Sequence, residues 1–268
     1  MPPGMQDLEW PRLLSLEASQ PLKFAAALLT VCLVAVAVLD LVQVTDEPLA
    51  VWVLMFGNGG PVEWVQWALL GLTAIAAAFL SSRTRSRFFL LFSFAAVLLL
   101  IEDAGDPRHR LAAYATALFG EEIAGLPTSM LVEMPYFAAL AAVPVYALVR
   151  YRSEVWRYTS ARRFVVGGYG LYAVAALGSG LRELGSYEAL GQLIDRSLGG
   201  RLPMGPYEAG QGHLQFVDGV FEESLELIAA ACLLGLVLAS ASEDRVACDV
   251  PRDVEGEQES THPTAPPG

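Results

Sequence analysis

Residues Phe221–Ser240 read FEESLELIAAACLLGLVLAS. From Leu227 to Ala239 the stretch holds thirteen residues without a charge, about 20 Å of α-helix. Crossing about 30 Å of hydrocarbon takes ~20 residues. A membrane-spanning helix here must therefore draw Gly219–Glu226 in with it, and Glu222, Glu223 and Glu226 then sit at membrane level. Carboxylates in that position cost on the order of 2.5–3.5 kcal/mol each on insertion scales and point to function.

Five further apolar runs have the same character: Leu22–Val44, Pro61–Ser81, Phe88–Gly105, Leu131–Tyr151 and Phe164–Leu184. In lipid every backbone polar group must be bonded within its own segment, so all six read as helices. The fold class expected is all-α, an integral membrane bundle of six transmembrane helices in the cell membrane. Residues 1–21 read as an N-terminal segment and 22–240 as the bundle. The tail, residues 241–268, is acidic and proline-containing and reads as disordered. The Ala35-Val36-Ala37 triplet resembles a signal-peptide cleavage site, but it lies inside its apolar run and five spans follow, so the first span reads as uncleaved.

Charge gives the orientation. Arg83, Arg85 and Arg87 lie between spans two and three, and Arg150, Arg152, Arg157, Arg162 and Arg163 between spans four and five. Short arginine-rich loops stay in the cytoplasm, which places both termini there. Two segments of the outer loops, Arg110–Phe119 and Tyr187–Leu198, show amphipathic helical spacing suited to the interface. The chain is 54% hydrophobic, 17% charged and carries a net charge of −12, with no basic cluster on a polar face. These features suit the lipid bilayer as surroundings and exclude nucleic acid as a partner. Cys32, Cys232 and Cys248 form neither a disulfide framework nor a zinc pattern.

On this topology every span brings a carboxylate to the outer level: Asp40, Glu63, Glu102 with Asp103, Glu133, Glu183, and Glu222 with Glu223 and Glu226. At the N-termini of even-numbered spans the helix dipole stabilises an anion by about 0.3–1 kcal/mol. At the C-terminal ends of spans one, three and five the dipole opposes it. Asp40, Glu102, Asp103 and Glu183 therefore need a proton, a cation or an arginine. Arg182 is the first candidate, with Arg108 and Arg110 next. Glu222 and Glu226, spaced i, i+4, share a face and repel unless something lies between them. Glu63 and Gln66, spaced i, i+3, form a polar stripe on span two. His213 and His109 are placed to join the cluster.

An oxygen-rich set suits protons and hard cations. With a histidine it suits a divalent metal ion, held by Glu102, Asp103, His213, Glu222 and Glu226. No nucleophile or nucleotide-binding motif is present. Three functions follow from such a cluster: a metal-dependent membrane enzyme acting on lipid-like substrates, a proton- or cation-coupled carrier, and a structural protein whose acids form a salt-bridge ring.

Gly60–Arg108, GPVEWVQWALLGLTAIAAAFLSSRTRSRFFLLFSFAAVLLLIEDAGDPR, resembles a group of uncharacterised prokaryotic multi-pass membrane proteins. That group pairs a GxxEW helix start with an arginine-bearing hairpin and a helix ending in paired acids. EExxE at the start of span six extends the resemblance. It implies roles for Glu63, Glu102, Asp103, Glu222, Glu223 and Glu226 and no particular activity. The GNGG stretch before Glu63 departs from the pattern.

Overall fold

The computed structural model describes residues 14, 16–39, 50–57, 59–182, 185–202, 207 and 209–249. The expected site residues Asp40 and Glu183 lie outside them. The elements run α1 (Gln20–Leu39), α2 (Val51–Phe56), α3 (Pro61–Thr84), α4 (Arg87–Gly105), α5 (Pro107–Phe119), β1 (Glu122–Ile123) and β2 (Leu126–Pro127). There follow α6 (Thr128–Arg150), α7 (Arg152–Trp156), α8 (Arg162–Leu181), α9 (Ser186–Ser197), α10 (Ala209–Phe216) and α11 (Glu223–Asp249). The short strands pair antiparallel, Glu122 with Pro127 and Ile123 with Leu126. The described residues are otherwise predominantly helical.

Local chemistry sets the boundaries. Pro61 opens α3 at the position where a missing N–H costs nothing. Arg85 closes α3 in the left-handed region, and Ser86 caps α4 by accepting from the Phe89 N–H at 3.4 Å. Asp106, with φ +50°, separates α4 from α5, and Pro107 starts α5.

Among the described residues, five segments are long and apolar enough to cross a membrane: Gln20–Leu39, Val51–Thr84, Arg87–Gly105, Thr128–Arg150 and Gln211–Val246. The remaining expected span, Phe164–Leu184, corresponds to α8. It is a 20-residue helix whose five glycines and two tyrosines dilute its apolar character. Both amphipathic outer segments are helical, as α5 and α9. Three features differ from expectation. The last helix begins before Gly219, its expected start, because α10 runs into a six-residue π-helical segment, Val217–Glu222, that leads into α11. It also ends later: Ala241–Asp249, expected as the start of a disordered tail, continue the helix. Glu243 explains part of this, since it accepts from the backbone N–H groups of Thr159 and Ser160 at 3.0 and 2.7 Å. Finally, α2 forms a short helix inside a stretch expected to be a loop.

α11 lies at the centre, packed against α1, α3 and α8; α4 pairs with α3, and α6 with α4 and α5. Glycine permits the closest approaches. A Cβ on Gly235 would lie 2.8 Å from both the Ala18 carbonyl oxygen and the Phe164 ring, and one on Gly168 would lie 2.6 Å from Leu233 Cδ2. Small residues of this kind let membrane helices approach closely. Gly235→Ala should therefore destabilise the protein by about 1–3 kcal/mol through overpacking. Gly170→Ala, with open space at the same helical depth of α8, should be neutral or stabilising by up to about 1 kcal/mol. Thermal unfolding of both variants in one detergent gives the comparison.

Candidate functional site

The acids of α3, α4 and α11 cannot all face solvent, because α11 is surrounded. Gln66 is completely buried on α3 and shows the result. Its side-chain amide nitrogen donates to Asp103 Oδ2 at 2.5 Å and to Glu226 Oε2 at 2.9 Å. One –NH2 group thus joins carboxylates from α4 and α11.

These groups border a cavity of about 780 Å³. Eight carboxylates line it: Glu63, Glu102, Asp103, Asp106, Asp218, Glu222, Glu223 and Glu226, with Arg108 and His109. The π-helical segment shapes this wall. A π turn takes an extra residue, and such turns recur at functional sites. Here Asp218, Gly219 and Glu222 all reach the cavity. Glu222 is 7% exposed and accepts from the Tyr187 hydroxyl at 3.3 Å, which ties α9 to the site. Burial, then the neighbouring Glu222 and Asp218 carboxylates, push the Tyr187 phenol above its ordinary range.

The arginines take two places. Arg108 pairs with Glu102 at 3.6 Å, donates to Ser179 Oγ at 3.2 Å and lies 4.7 Å from the centre of the Phe137 ring. Arg182 pairs with Glu133 at 3.1 Å and Asp218 at 3.3 Å. It also donates to His109 Nε2 at 2.7 Å. A guanidinium only donates, so Nε2 accepts and the ring proton sits on Nδ1, facing Asp106. Arg182, His109 and Glu133 also line a second, more open groove of about 590 Å³ between α5 and α6, and His109 borders both spaces.

The expected cluster is therefore divided. Glu102 and Glu133 are ion-paired, and Arg182 is a cation of the cluster, bound to Glu133 and to an acid the sequence reading passed over. Glu63 acts as a cap: its side chain accepts from the Gly59 N–H, and it also lines the cavity. Asp103, Glu222, Glu223 and Glu226 line the cavity with no cation within 4 Å among the described residues. His213 sits elsewhere. Its Nε2 meets Asp195 of α9 at 3.2 Å, and it does not line the cavity. Among the described residues no group of three or more His, Cys, Asp or Glu is arranged to hold a metal ion. Asp218 was missed, although Asp218, Glu222 and Glu226 repeat at i, i+4 and i+8. The expected start of the last span at Gly219 hid that pattern.

Comparison with protein-family models, with curated proteins and with solved structures finds no match.

Glu133 is 2% exposed at its side chain, so it depends on its guanidinium partner. Removing one partner of a buried pair typically costs about 3–5 kcal/mol. Arg182→Gln should lower stability by that order, and Arg182→Met with Glu133→Leu should recover a large part of it. Unfolding midpoints of the single and double variants test this.

Proposed function

We propose that the chain is a multi-pass membrane protein of six spans with both termini in the cytoplasm. Its carboxylate-lined cavity is a binding site for a cationic group on the outer side of the bilayer. The observation that carries this reading is the excess of charge around one space: four carboxylates border it without a cation within 4 Å among the described residues, and two of them converge on one amide. In a medium of low polarity such a set is completed by positive charge, supplied by a proton or a cation. Gln66 carries no charge: its –NH2 group donates to the two carboxylates, and its Oε1, an acceptor, is buried without a partner among the described residues.

The ion pairs of Glu102 and Glu133 support a structural share for the arginines, as in a salt-bridge ring. That share leaves Asp103, Glu222, Glu223 and Glu226 unexplained. A through-path for ions is less well supported. The other half of α11, Ala229–Ala239, is apolar and buried throughout, so polar lining stops at the acidic end. A site closed to the cytoplasm suits binding better than conduction.

Two measurements test the reading. In the full-length protein in lipid nanodiscs, ethylammonium should bind saturably, and Glu226→Gln with Asp103→Asn should weaken it at least about tenfold. Equal binding by the folded variant would sink the proposal. For topology, a Cys248→Ser background leaves buried Cys32 and Cys232. There a cysteine replacing exposed Glu121 should react with an impermeant maleimide in intact cells. One replacing exposed Arg85 should react only after permeabilisation, and the reverse pattern would invert the orientation.

A further inference from the structure

The carboxylates account for one end of the cavity; the rest of it is apolar. Below the acids the lining passes to α6 and α8, through Phe137, Leu140, Pro144 and Leu148 on one side and Ala173 and Ala176 on the other. From Phe137 to Leu148 the α6 wall extends about 16 Å along the helix axis. α6 and α8 touch sparingly, and the cleft between them opens sideways. Three of its lining residues, Ala141, Val145 and Ala173, are themselves exposed on the bundle's outer surface. In a bilayer that surface faces lipid.

Aromatic side chains line both parts. Trp52, stacked on Tyr207 at 6.1 Å between ring centres, lies at Gly219 of the π-helical segment, Tyr172 lies beside the acids, and Tyr169 lies deeper, against Phe92. Among the described residues the buried hydroxyl oxygen of Tyr172 finds no hydrogen-bond partner, and neither does one oxygen of Glu223. Tyr172 lies within the field of Asp103, Glu226 and Glu223. Buried polar groups are normally satisfied, so these oxygens point to a missing polar partner at this level. Aromatic faces beside carboxylates favour an ammonium group over a bare metal ion.

Resting on the cation-site reading above, we propose that the cavity binds a long-chain amphiphilic amine. Its ammonium head sits among Asp103, Glu223, Glu226 and the Tyr172 hydroxyl, and its alkyl tail lies in the α6–α8 cleft, reached sideways from the bilayer. The primary ammonium has three donors to distribute over these acceptors. The tail replaces lipid along the α6 wall. No bond is made or broken; the claim is one of ligand class and route.

The probe is a series of n-alkylamines from ethyl to dodecyl, titrated into the full-length protein in nanodiscs with empty discs subtracted. Affinity should rise by up to about fourfold for each added methylene. Dodecan-1-ol and dodecanoate, equal in tail but lacking the cationic head, should show no saturable binding. Ala141→Trp and Ala173→Trp fill the lip of the cleft and touch none of the acids. Each should weaken dodecylamine at least about tenfold and leave ethylammonium unchanged. Ethylammonium binding that depends on Glu226 and Asp103, without the chain-length increase or the tryptophan effect, would overturn the tail and leave the cation site standing. Dodecanol binding as well as dodecylamine would overturn the head assignment. Loss of ethylammonium binding itself would remove both readings.

Discussion

The central position of α11 is the constraint on which the arrangement depends. About 78% of its most apolar window is buried inside the protein, against 17% for α6 and 22% for α1. A helix enclosed by α1, α3 and α8 has no solvent face for its acids. Glu222, Glu223 and Glu226 are consequently directed against neighbouring helices, where α3 brings Gln66, α8 brings Tyr172, and Asp103 of α4 reaches in through Gln66. The glycines at positions 168 and 235 belong to the same constraint, because they let the surrounding helices close upon α11.

Two kinds of carboxylate result, and they do different work. Glu102 and Glu133 are neutralised internally by Arg108 and Arg182, which hold the α4–α5 corner, α6 and the π-helical segment together. Asp103 and the three glutamates of the last span are left for the cavity. Burying like charges without a partner is costly in low dielectric.

Much of this was legible in the sequence. Apolar run lengths gave α3, α4 and α6 to within a few residues, because twenty apolar residues admit few other structures. Glu102 and Asp103 stood out because no helix dipole supports an anion at a C-terminus, and Arg182 stood out as a membrane-level cation. Other features were hidden for physical reasons. A π turn has no compositional signal that separates it from an α turn, so Asp218 was placed in a loop. His213 looked free to join the acids because Asp195, its partner, lies 18 residues away on α9, whose packing against α10 was not readable. The continuation of α11 to Asp249 depends on a tertiary contact between Glu243 and the loop at Thr159 and Ser160, which no local propensity reveals. Asp40 and Glu183 lie outside the described residues.

The π-helical segment has a consequence for how the chain can change. Each α-helical residue turns the chain by about 100°. Losing one residue between Val217 and Glu222 would relax the segment toward ordinary α geometry and swing everything before it by that angle relative to α11. Asp218 would leave Arg182, and Trp52 would lose Phe216, its edge-on neighbour at 5.5 Å. The segment's length therefore acts as a phase setting, keeping the α9–α10 layer in step with the central helix.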